Sequence, residues 1–141
     1  MQFSREIDPF SHSIRSYGPG EVTVILPHEP AELQDDLLPP SHRHETLHHS
    51  LIITPGRLIR DWPPQQFEEL EQGHFDVFAE LQPEILLFGT GPQLCWPEYG
   101  MTSPLLNCGI GVEVMDTAAA CRTYNILMAD ERNVAAALLM I

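Results

Sequence analysis

The turn Gly89-Thr90-Gly91 is the first place where this sequence could bind a small molecule. It follows an apolar run typical of a buried strand, and open α/β sheets bind ligands beyond the carboxyl ends of their strands. Backbone N–H groups in a glycine-rich turn can hold an anion, and Thr90 adds a hydroxyl. The turn is not a G-x-G-x-x-G motif, however, and Pro92 follows it. A tight turn or close packing under the following helix also explains the glycines. We favour this structural role over ligand binding.

A second group of polar side chains lies at the start of a predicted helix. Asp116 and Thr117 precede a run without Gly or Pro, where their oxygens can accept hydrogen bonds from free helix N–H groups. We hypothesise that these residues share one cleft with the Gly89–Gly91 turn.

The predicted helix 117–128 has an apolar face and a polar face at 100° per residue. The apolar face consists of Ala120, Cys121, Tyr124, Leu127 and Met128. We expect it to lie on a sheet. Arg122 and Asn125 fall nearly opposite, where their side chains can meet each other and a partner molecule, although a solvated charge is the simpler interpretation of Arg122.

A polar segment at 28–49 contains three prolines, many charges and a histidine cluster. The cluster consists of His42, His44, His48 and His49. Neutral imidazole is a common metal ligand, so a metal site is one interpretation of the cluster. We favour a solvated insertion without metal, because nothing around the cluster matches the standard zinc spacings.

The cysteines and the other reactive side chains do not form a recognisable catalytic motif. Cys95, Cys108 and Cys121 are odd in number and widely spaced, which fits reduced thiols, and Cys121 is predicted to be buried and inert. The sequence has no G-x-S-x-G, Walker or H-E-x-x-H motif. We find no acid–base pair, and therefore expect a protein without a catalytic site or a cofactor.

Strand and helix patterns indicate the elements that hold these residues. Predicted strands cover 14–17 and 22–26, joined by a tight turn at Gly18-Pro19-Gly20, and then 50–54, 58–59, 84–88, a stretch around 112–114, and 134–140. Predicted helices cover 74–81 with Phe75 and Phe78 inward, part of 97–107 with Leu105 and Leu106 packed, and 117–128. Because strands alternate with helices after residue 70, we predict an α/β core with mostly parallel pairing.

Composition limits the classes of function. A chain of 141 residues with 43% hydrophobic residues fits one domain, 1–141, with the polar insertion at about 28–49. The net charge of −13 argues against nucleic acid and anionic lipid, and favours basic protein surfaces. There is no apolar run near the roughly 20 residues of a membrane span. The first residues resemble neither a secretion signal nor a mitochondrial presequence, which favours a cytoplasmic protein.

The sequence also resembles a known family. The segments DTAAACRTYNIL at 116–127 and ERNVAAAL at 131–138 are similar to the signature of the Mth938-type domain. Further similar segments are YGPG at 17–20, SLIITP at 50–55, Trp62, and PEILLFGTG at 83–91. This family of unknown biochemical function includes the mitochondrial complex I assembly factor 3 proteins. Because its mitochondrial members would be expected to carry a presequence, the resemblance implies that this chain is a bacterial, cytoplasmic member.

The resemblance implies a three-layer fold: a mixed central sheet flanked by helices, with a small N-terminal antiparallel sheet. The chain departs from the family in the length of the 28–49 segment. It also departs at Glu131, because the family commonly places Gly before the arginine equivalent to Arg132. If that turn requires a positive φ, either Glu131 is strained or Asp130 or Asn133 adopts the special conformation.

Three functions remain open from the sequence. The resemblance implies a protein-binding or assembly module, in which Arg122 and Asn125 would belong to the contact face. The alternative is a small-molecule-binding protein or enzyme that uses Gly89–Gly91 and the start of the 117–128 helix. A third interpretation is a homo-oligomer whose acidic surface only confers solubility.

Overall fold

The computed structural model describes residues 10–27 and 43–141 of the chain. The strands are β1 Ser13–Gly18, β2 Glu21–Leu26, β3 Arg43–Leu47, β4 Leu51–Ile53, β5 Leu58–Ile59, β6 Ile85–Gly89, β7 Gly111–Met115 and β8 Val134–Leu138. The helices are α1 Asp76–Leu81, α2 Tyr99–Asn107 and α3 Thr117–Ala129, with 3-10 turns at Phe67–Glu69 and Gln72–Phe75. Within the described ranges, no helix has the length and apolarity needed to cross a bilayer.

The larger sheet has the strand order β5-β4-β8-β6-β7. Strand β6 pairs in parallel with both β7 and β8, as the alternation of strands and helices predicted. Strand β4 pairs antiparallel with β8 and β5. The sheet is therefore mixed, which confirms the architecture that the family resemblance implied.

Both faces of the larger sheet are covered, and the strands alternate between two apolar clusters. In β6, Leu87 packs with α3 on one face, while Leu86 and Phe88 pack on the other. The alanine-rich strand β8 follows the same period of two. Its side chains are fully buried, so the prediction of a strand here is confirmed although alanine also suits a helix.

The second face of the sheet is covered by α1, α2 and an aromatic cluster. Trp62 makes edge-to-face contacts with Phe75, Phe78 and Phe88 at ring separations of 5.9–6.4 Å. Its indole N–H donates to the carbonyl of His74 at 3.0 Å. Buried Phe75 and Phe78 confirm the inward face predicted for this segment.

Helix α2 differs from its prediction in one packed residue. Leu105 is buried as expected, but Leu106 is exposed, so the prediction that both leucines pack was wrong. The helix begins at Tyr99 and carries Pro104 inside it. Consecutive helix positions point about 100° apart, so Leu106 turns away from the sheet that Leu105 contacts.

The smaller sheet has the antiparallel order β1-β2-β3. Strands β1 and β2 and their turn at Gly18-Pro19-Gly20 confirm the prediction. Strand β3 corrects it, because residues 43–47 were assigned to a solvated insertion and instead pair with β2 from Leu26↔Arg43 to Val22↔Leu47. Its polar side chains suit an exposed edge strand. Because they lack the alternation of apolar and polar residues, the sequence did not predict a strand here. The rest of the predicted insertion, 28–42, lies outside the described residues.

Helix α3 lies between the two sheets. Asp116 is its N-cap, and the carboxylate accepts from the Ala119 N–H at 2.8 Å, as predicted. Tyr124 is fully buried, and its hydroxyl donates to the His12 carbonyl at 2.8 Å. The predicted core face of α3 is therefore confirmed, with the smaller sheet as an additional neighbour.

Asn125 corrects the predicted outward face of α3. Its side chain is buried, and the amide oxygen accepts from the Ile14 N–H at 2.9 Å while Nδ2 donates to the Ile14 carbonyl at 2.7 Å. Asn125 points away from the larger sheet, but this position is not exposed to solvent because β1 packs against α3 there. Asn125 therefore joins α3 to β1 and cannot contact a partner together with Arg122.

Candidate functional site

The Gly89–Gly91 turn and the start of α3 meet, but through internal hydrogen bonds. The Gly91 N–H donates to Thr117 Oγ1 at 2.8 Å, and that hydroxyl donates to the Leu139 carbonyl at 2.6 Å. The Thr90 N–H donates to the Met115 carbonyl at 2.9 Å. These donors are therefore occupied, which supports the structural role we favoured for the turn. The predicted shared cleft is not open at Thr117, whose side chain is fully buried.

Glycine is required here by close packing. A Cβ at Gly89 would lie 3.0 Å from the Thr117 Cα and 3.0 Å from the Leu138 side chain. Gly91 has a φ of +102°, which L side chains rarely adopt. The two glycines therefore bring β6 and α3 into contact and turn the chain toward the next segment.

An open cleft of about 260 Å³ lies beside Gly91. Much of its lining is apolar, from Phe67, Pro92, Leu139 and Met140. Among the lining residues, all in the described part of the chain, Glu68 alone carries a charge. The thiol-bearing residue Cys95 also lines the cleft, and none of its walls comes from Asp116 or Thr117.

The segment that leaves this cleft carries large apolar side chains in solvent. Leu94, Trp96 and Tyr99 are 49%, 70% and 72% exposed, and we call these three residues the apolar loop. Single exposed apolar residues are ordinary, but here three occur within six positions of the chain, two of them aromatic, and apolar area concentrated in one region is typical of binding surfaces. This loop is the feature that best fits a functional surface.

The backbone of the apolar loop is held in place at both ends. The Thr90 hydroxyl donates to the Gln93 carbonyl at 2.6 Å and accepts from the Cys95 N–H at 3.1 Å. At the other end, the Glu98 carbonyl accepts from the Met101 N–H at 2.9 Å as α2 begins. Pro97 fixes one backbone torsion between them. The loop thus presents its side chains from a constrained backbone, which lowers the entropy cost of binding.

The sequence did not predict the apolar loop as a functional surface. Its residues interrupt a segment rich in Pro and Gly, where no period of 2 or 3.6 residues can be assigned. No local signal could have found it, because Trp96 and the buried Trp62 both precede a proline in an irregular segment.

Charge is distributed unevenly around this surface. The sequence has no lysine, and no arginine occurs between Arg60 and Arg122. The same interval contains ten Asp and Glu residues and forms the 3-10 turns, α1, α2, the apolar loop and strands β6 and β7. Arginines on other elements are matched by neighbours, as in the bidentate contacts of Arg60 with Glu45 and of Arg132 with Glu84.

These two ion pairs account for shifted carboxylate pKa values. The hydrogen bond from Arg60 lowers the pKa of Glu45, and the hydrogen bond from Arg132 lowers the pKa of Glu84. Both shifts keep the carboxylate ionised, which is the reverse of what a general acid requires. Each pair is exposed and joins neighbouring elements, so neither indicates a catalytic site.

Arg122 remains exposed, but its guanidinium has a partner. Nη1 donates to the Tyr17 hydroxyl at 2.7 Å, which ties α3 to β1. Because Asn125 is buried, the structure does not bring the two predicted contact residues together on one exposed face.

The histidines of the predicted cluster contact different parts of the protein. His44 contacts the Arg15 guanidinium, and His48 lies 3.2 Å from the Gly20 carbonyl through Nδ1. His42 lies outside the described residues. Within the described residues, no group of three or more His, Cys, Asp or Glu side chains is arranged to hold a metal.

The three cysteines differ in exposure. Burial raises the pKa of the Cys121 thiol to about 12, so the thiol stays protonated and unreactive at neutral pH, as predicted. Cys95 is partly exposed at the cleft, and Cys108 is exposed at the end of α2.

The geometry defines a class of protein: a three-layer α/β fold with a mixed five-stranded sheet, a small antiparallel sheet and an exposed apolar loop beside an acidic cleft. Residues 41–139 match the family described as protein of unknown function (DUF498/DUF598), and the chain belongs to this family. The resemblance to Mth938-type domains is thereby confirmed.

Individual relatives agree with this assignment. The chain is 29% identical over 87 residues to a Francisella tularensis protein called 13 kDa major membrane protein, covering 61% of this chain and 71% of that one. It is 33% identical over 85 residues to the Xenopus tropicalis protein NADH dehydrogenase [ubiquinone] 1 alpha subcomplex assembly factor 3, covering 59% and 46%. The chain spans about half the length of the assembly factors it matches.

A solved structure shows the same fold. The solution structure of a Bordetella pertussis protein, described as a Mth938-like domain, has a TM-score of 0.70 and 27% identity. The match covers 99% of this chain and 92% of that one.

Proposed function

We propose that this protein is a non-catalytic assembly module that binds another protein through its apolar loop, Leu94, Trp96 and Tyr99. The observation that carries the proposal is the exposure of these side chains on a constrained backbone. Trp and Tyr are enriched at the energetic centres of protein interfaces. Solvent-exposed aromatic rings have no evident role in stabilising this fold, so a binding role accounts for them better than packing does.

The relatives named as assembly factor 3 of NADH dehydrogenase support an assembly role. Their names concern assembly of a multi-subunit complex, which proceeds through contacts between proteins. We propose that this chain serves such an assembly, with respiratory complex I as the first candidate. The residues that match the family model, 41–139, include the apolar loop.

Removing the indole of Trp96 tests the proposal. Trp96→Ala should weaken capture of the partner from the source organism by roughly thirtyfold, because truncating an interface centre costs about 2 kcal/mol or more. Ile126→Ala is the matched control, since Ile126 is a half-exposed apolar residue outside the loop, on α3. Thermal unfolding should be nearly unchanged for both variants, because both side chains are exposed.

The face of α3 that carries Arg122 is the alternative surface for binding the partner. One further variant distinguishes it from the apolar loop. Arg122→Glu should leave capture unchanged if the apolar loop binds the partner. Loss of capture by Arg122→Glu with full capture by Trp96→Ala would move the interface to α3 and β1, and would contradict our assignment.

A second candidate function is small-molecule binding in the cleft beside Gly91, favoured by the amide and carboxylate side chains among its lining residues. Its binding groups would come from Gln66, Gln93 and Glu68, since the Gly91 N–H and the Thr90 and Thr117 hydroxyls are already bonded. A thermal-shift screen of metabolites tests it, because a ligand at a hundred times its Kd should add about 2.7 kcal/mol of stability.

A further inference from the structure

We infer that the partner presents a cationic amphipathic segment, whose apolar side chains cover the apolar loop and whose Lys or Arg side chain enters the cleft beside Gly91. This inference rests on the proposed function and specifies the chemistry of the partner. Three observations carry it: the charge of the surrounding surface, the lining of the cleft, and the connection along the chain from Cys95, which lines the cleft, to the exposed Trp96.

The surface around the apolar loop attracts positive charge. Residues 61 to 121, which include the elements that build it, contain no Lys or Arg and ten acidic side chains, of which Glu84 is paired with Arg132. Glu98 lies within the loop segment, and the exposed Glu68 and Glu69 lie on the neighbouring 3-10 turn. Complementary charge at the rim of an interface speeds association and selects among partners. A basic segment is therefore favoured over a neutral or acidic one.

The cleft has the chemistry of a site for one long cationic side chain. Its walls include Phe67, Pro92 and Met140, and Glu68 is its charged group. Lys and Arg have the matching arrangement, an apolar stem that ends in a cation. The volume of about 260 Å³ is below the range of about 300–1,000 Å³ typical of small-molecule pockets, which favours a side chain over a whole metabolite.

Trp96 supplies a second site for the same cation or its neighbour. Cys95 lines the cleft and Trp96 follows it directly, with the Trp96 side chain exposed. A Lys or Arg over the face of an indole gains cation–π attraction. A segment that alternates apolar and basic residues can therefore contact the loop and the cleft together.

Other occupants fit this surface less well. An anionic bilayer would be repelled by the carboxylates, and a second copy of this chain would bring the same negative charge against it. A zwitterionic bilayer offers apolar contact and choline cations, but each choline is joined to a phosphate that the carboxylates repel, and its quaternary ammonium has no N–H to donate to Glu68. Each of these occupants gives a distinct outcome in the test below.

Selection from a display library of random peptides tests the inference against the full chain. We expect the selected peptides to be enriched in Lys and Arg together with apolar residues. Their affinity should fall about tenfold or more for Trp96→Ala, and about two- to fivefold for Glu68→Gln. Glu21→Gln is the control, since it removes the same charge from the exposed start of β2 and should leave affinity unchanged.

The outcomes separate this inference from the proposed function. Selected peptides that require Trp96 but are neutral or acidic would overturn the inference and leave the apolar loop as a binding surface. Basic peptides that bind Trp96→Ala as well as the unaltered chain, equal losses for Glu68→Gln and Glu21→Gln, or no enrichment would each overturn it. The proposed function fails separately, if the natural partner is captured equally by Trp96→Ala.

Two further measurements identify the competing occupants. Trp96 is exposed and Trp62 is buried, so a blue shift of tryptophan emission reports on the loop. A blue shift with phosphatidylcholine vesicles, absent with the selected peptides, would replace the peptide by a bilayer. A dimer in sedimentation that dissociates in Trp96→Ala would replace it by a second copy.

Discussion

Glu131 shows how a single residue can conflict with its backbone. It adopts a φ of 60° in the turn between α3 and β8, so the strain falls on Glu131 itself rather than on Asp130 or Asn133. The left-handed region costs a non-glycine residue about 1 kcal/mol, whereas glycine adopts it freely. The expectation of strain, drawn from the departure at this position, is confirmed.

Replacing Glu131 should therefore stabilise the protein. Glu131→Gly is expected to raise the free energy of unfolding by about 0.5–1 kcal/mol, less than the full strain because glycine has more entropy in the unfolded chain. Urea denaturation measures the difference. Glu131→Ala is the control, since it removes the charge and keeps the strained φ. An equal gain in both variants would assign the effect to charge instead.

His12 should make the folded protein less stable in mild acid. Desolvation lowers the pKa of His12 below its usual 6.5, although its ring contacts the Pro55 carbonyl. A base with a lowered folded pKa binds its proton more readily in the unfolded chain. Stability is therefore full above about pH 6.5 and decreases as the pH falls from 6.5 through the folded pKa.

The contribution of His12 can be isolated by substitution. Between pH 7.5 and pH 5.5, the unaltered chain should lose more unfolding free energy than His12→Asn, which has no proton to bind. Equilibrium urea unfolding at the two pH values gives the comparison. An identical loss in both proteins would show that other groups cause the acid sensitivity.

At the scale of elements, the amide of Asn125 joins α3 to β1. Asn125→Ala would leave the N–H and the carbonyl of Ile14 without these partners in a buried environment. We expect a loss of about 2–4 kcal/mol of stability, measured by urea unfolding. Ile126→Ala, one position along the same helix, should change stability by under about 0.5 kcal/mol. A small cost for Asn125→Ala would mean that water replaces the lost bonds.

The elements that the sequence predicted well are those with a strong local pattern. The apolar run of β6, the cap at Asp116 and the glycine turn after β1 all depend on neighbouring residues, and each is confirmed. The errors arise where distant elements decide. Asn125 was assigned to solvent because its burial comes from β1, more than a hundred residues away. Strand β3 was missed because its polar side chains are stabilised by pairing with β2.

The candidate site was predictable only in part, for the same reason. The sequence pointed to the Gly89–Gly91 turn, which does border the cleft, but it could not show that internal partners occupy the turn's N–H groups. It could not separate Trp96 in solvent from Trp62 in the core, because both lie next to proline in irregular segments.

Across the described part of the molecule, most of the large exposed apolar side chains lie in an interval without Lys or Arg. The arginines lie outside residues 61–121, while that interval contains α1, α2, the apolar loop and strands β6 and β7. Apolar contact would supply most of the affinity, and the carboxylates would select a basic partner and accelerate its binding. Binding to the natural partner should weaken with added salt, as surface charges are screened within about 10 Å at 0.1 M.

Alkylation of the cysteines in the complex with the captured partner tests the apolar loop most directly. Cys95 lies between Leu94 and Trp96, Cys108 is exposed at the end of α2, and Cys121 is buried. We predict that the partner slows alkylation of Cys95 at least tenfold while Cys108 reacts at its free rate. Unchanged alkylation of Cys95 in a saturated complex would show that the partner binds elsewhere, and would contradict the assignment of the apolar loop as the binding surface.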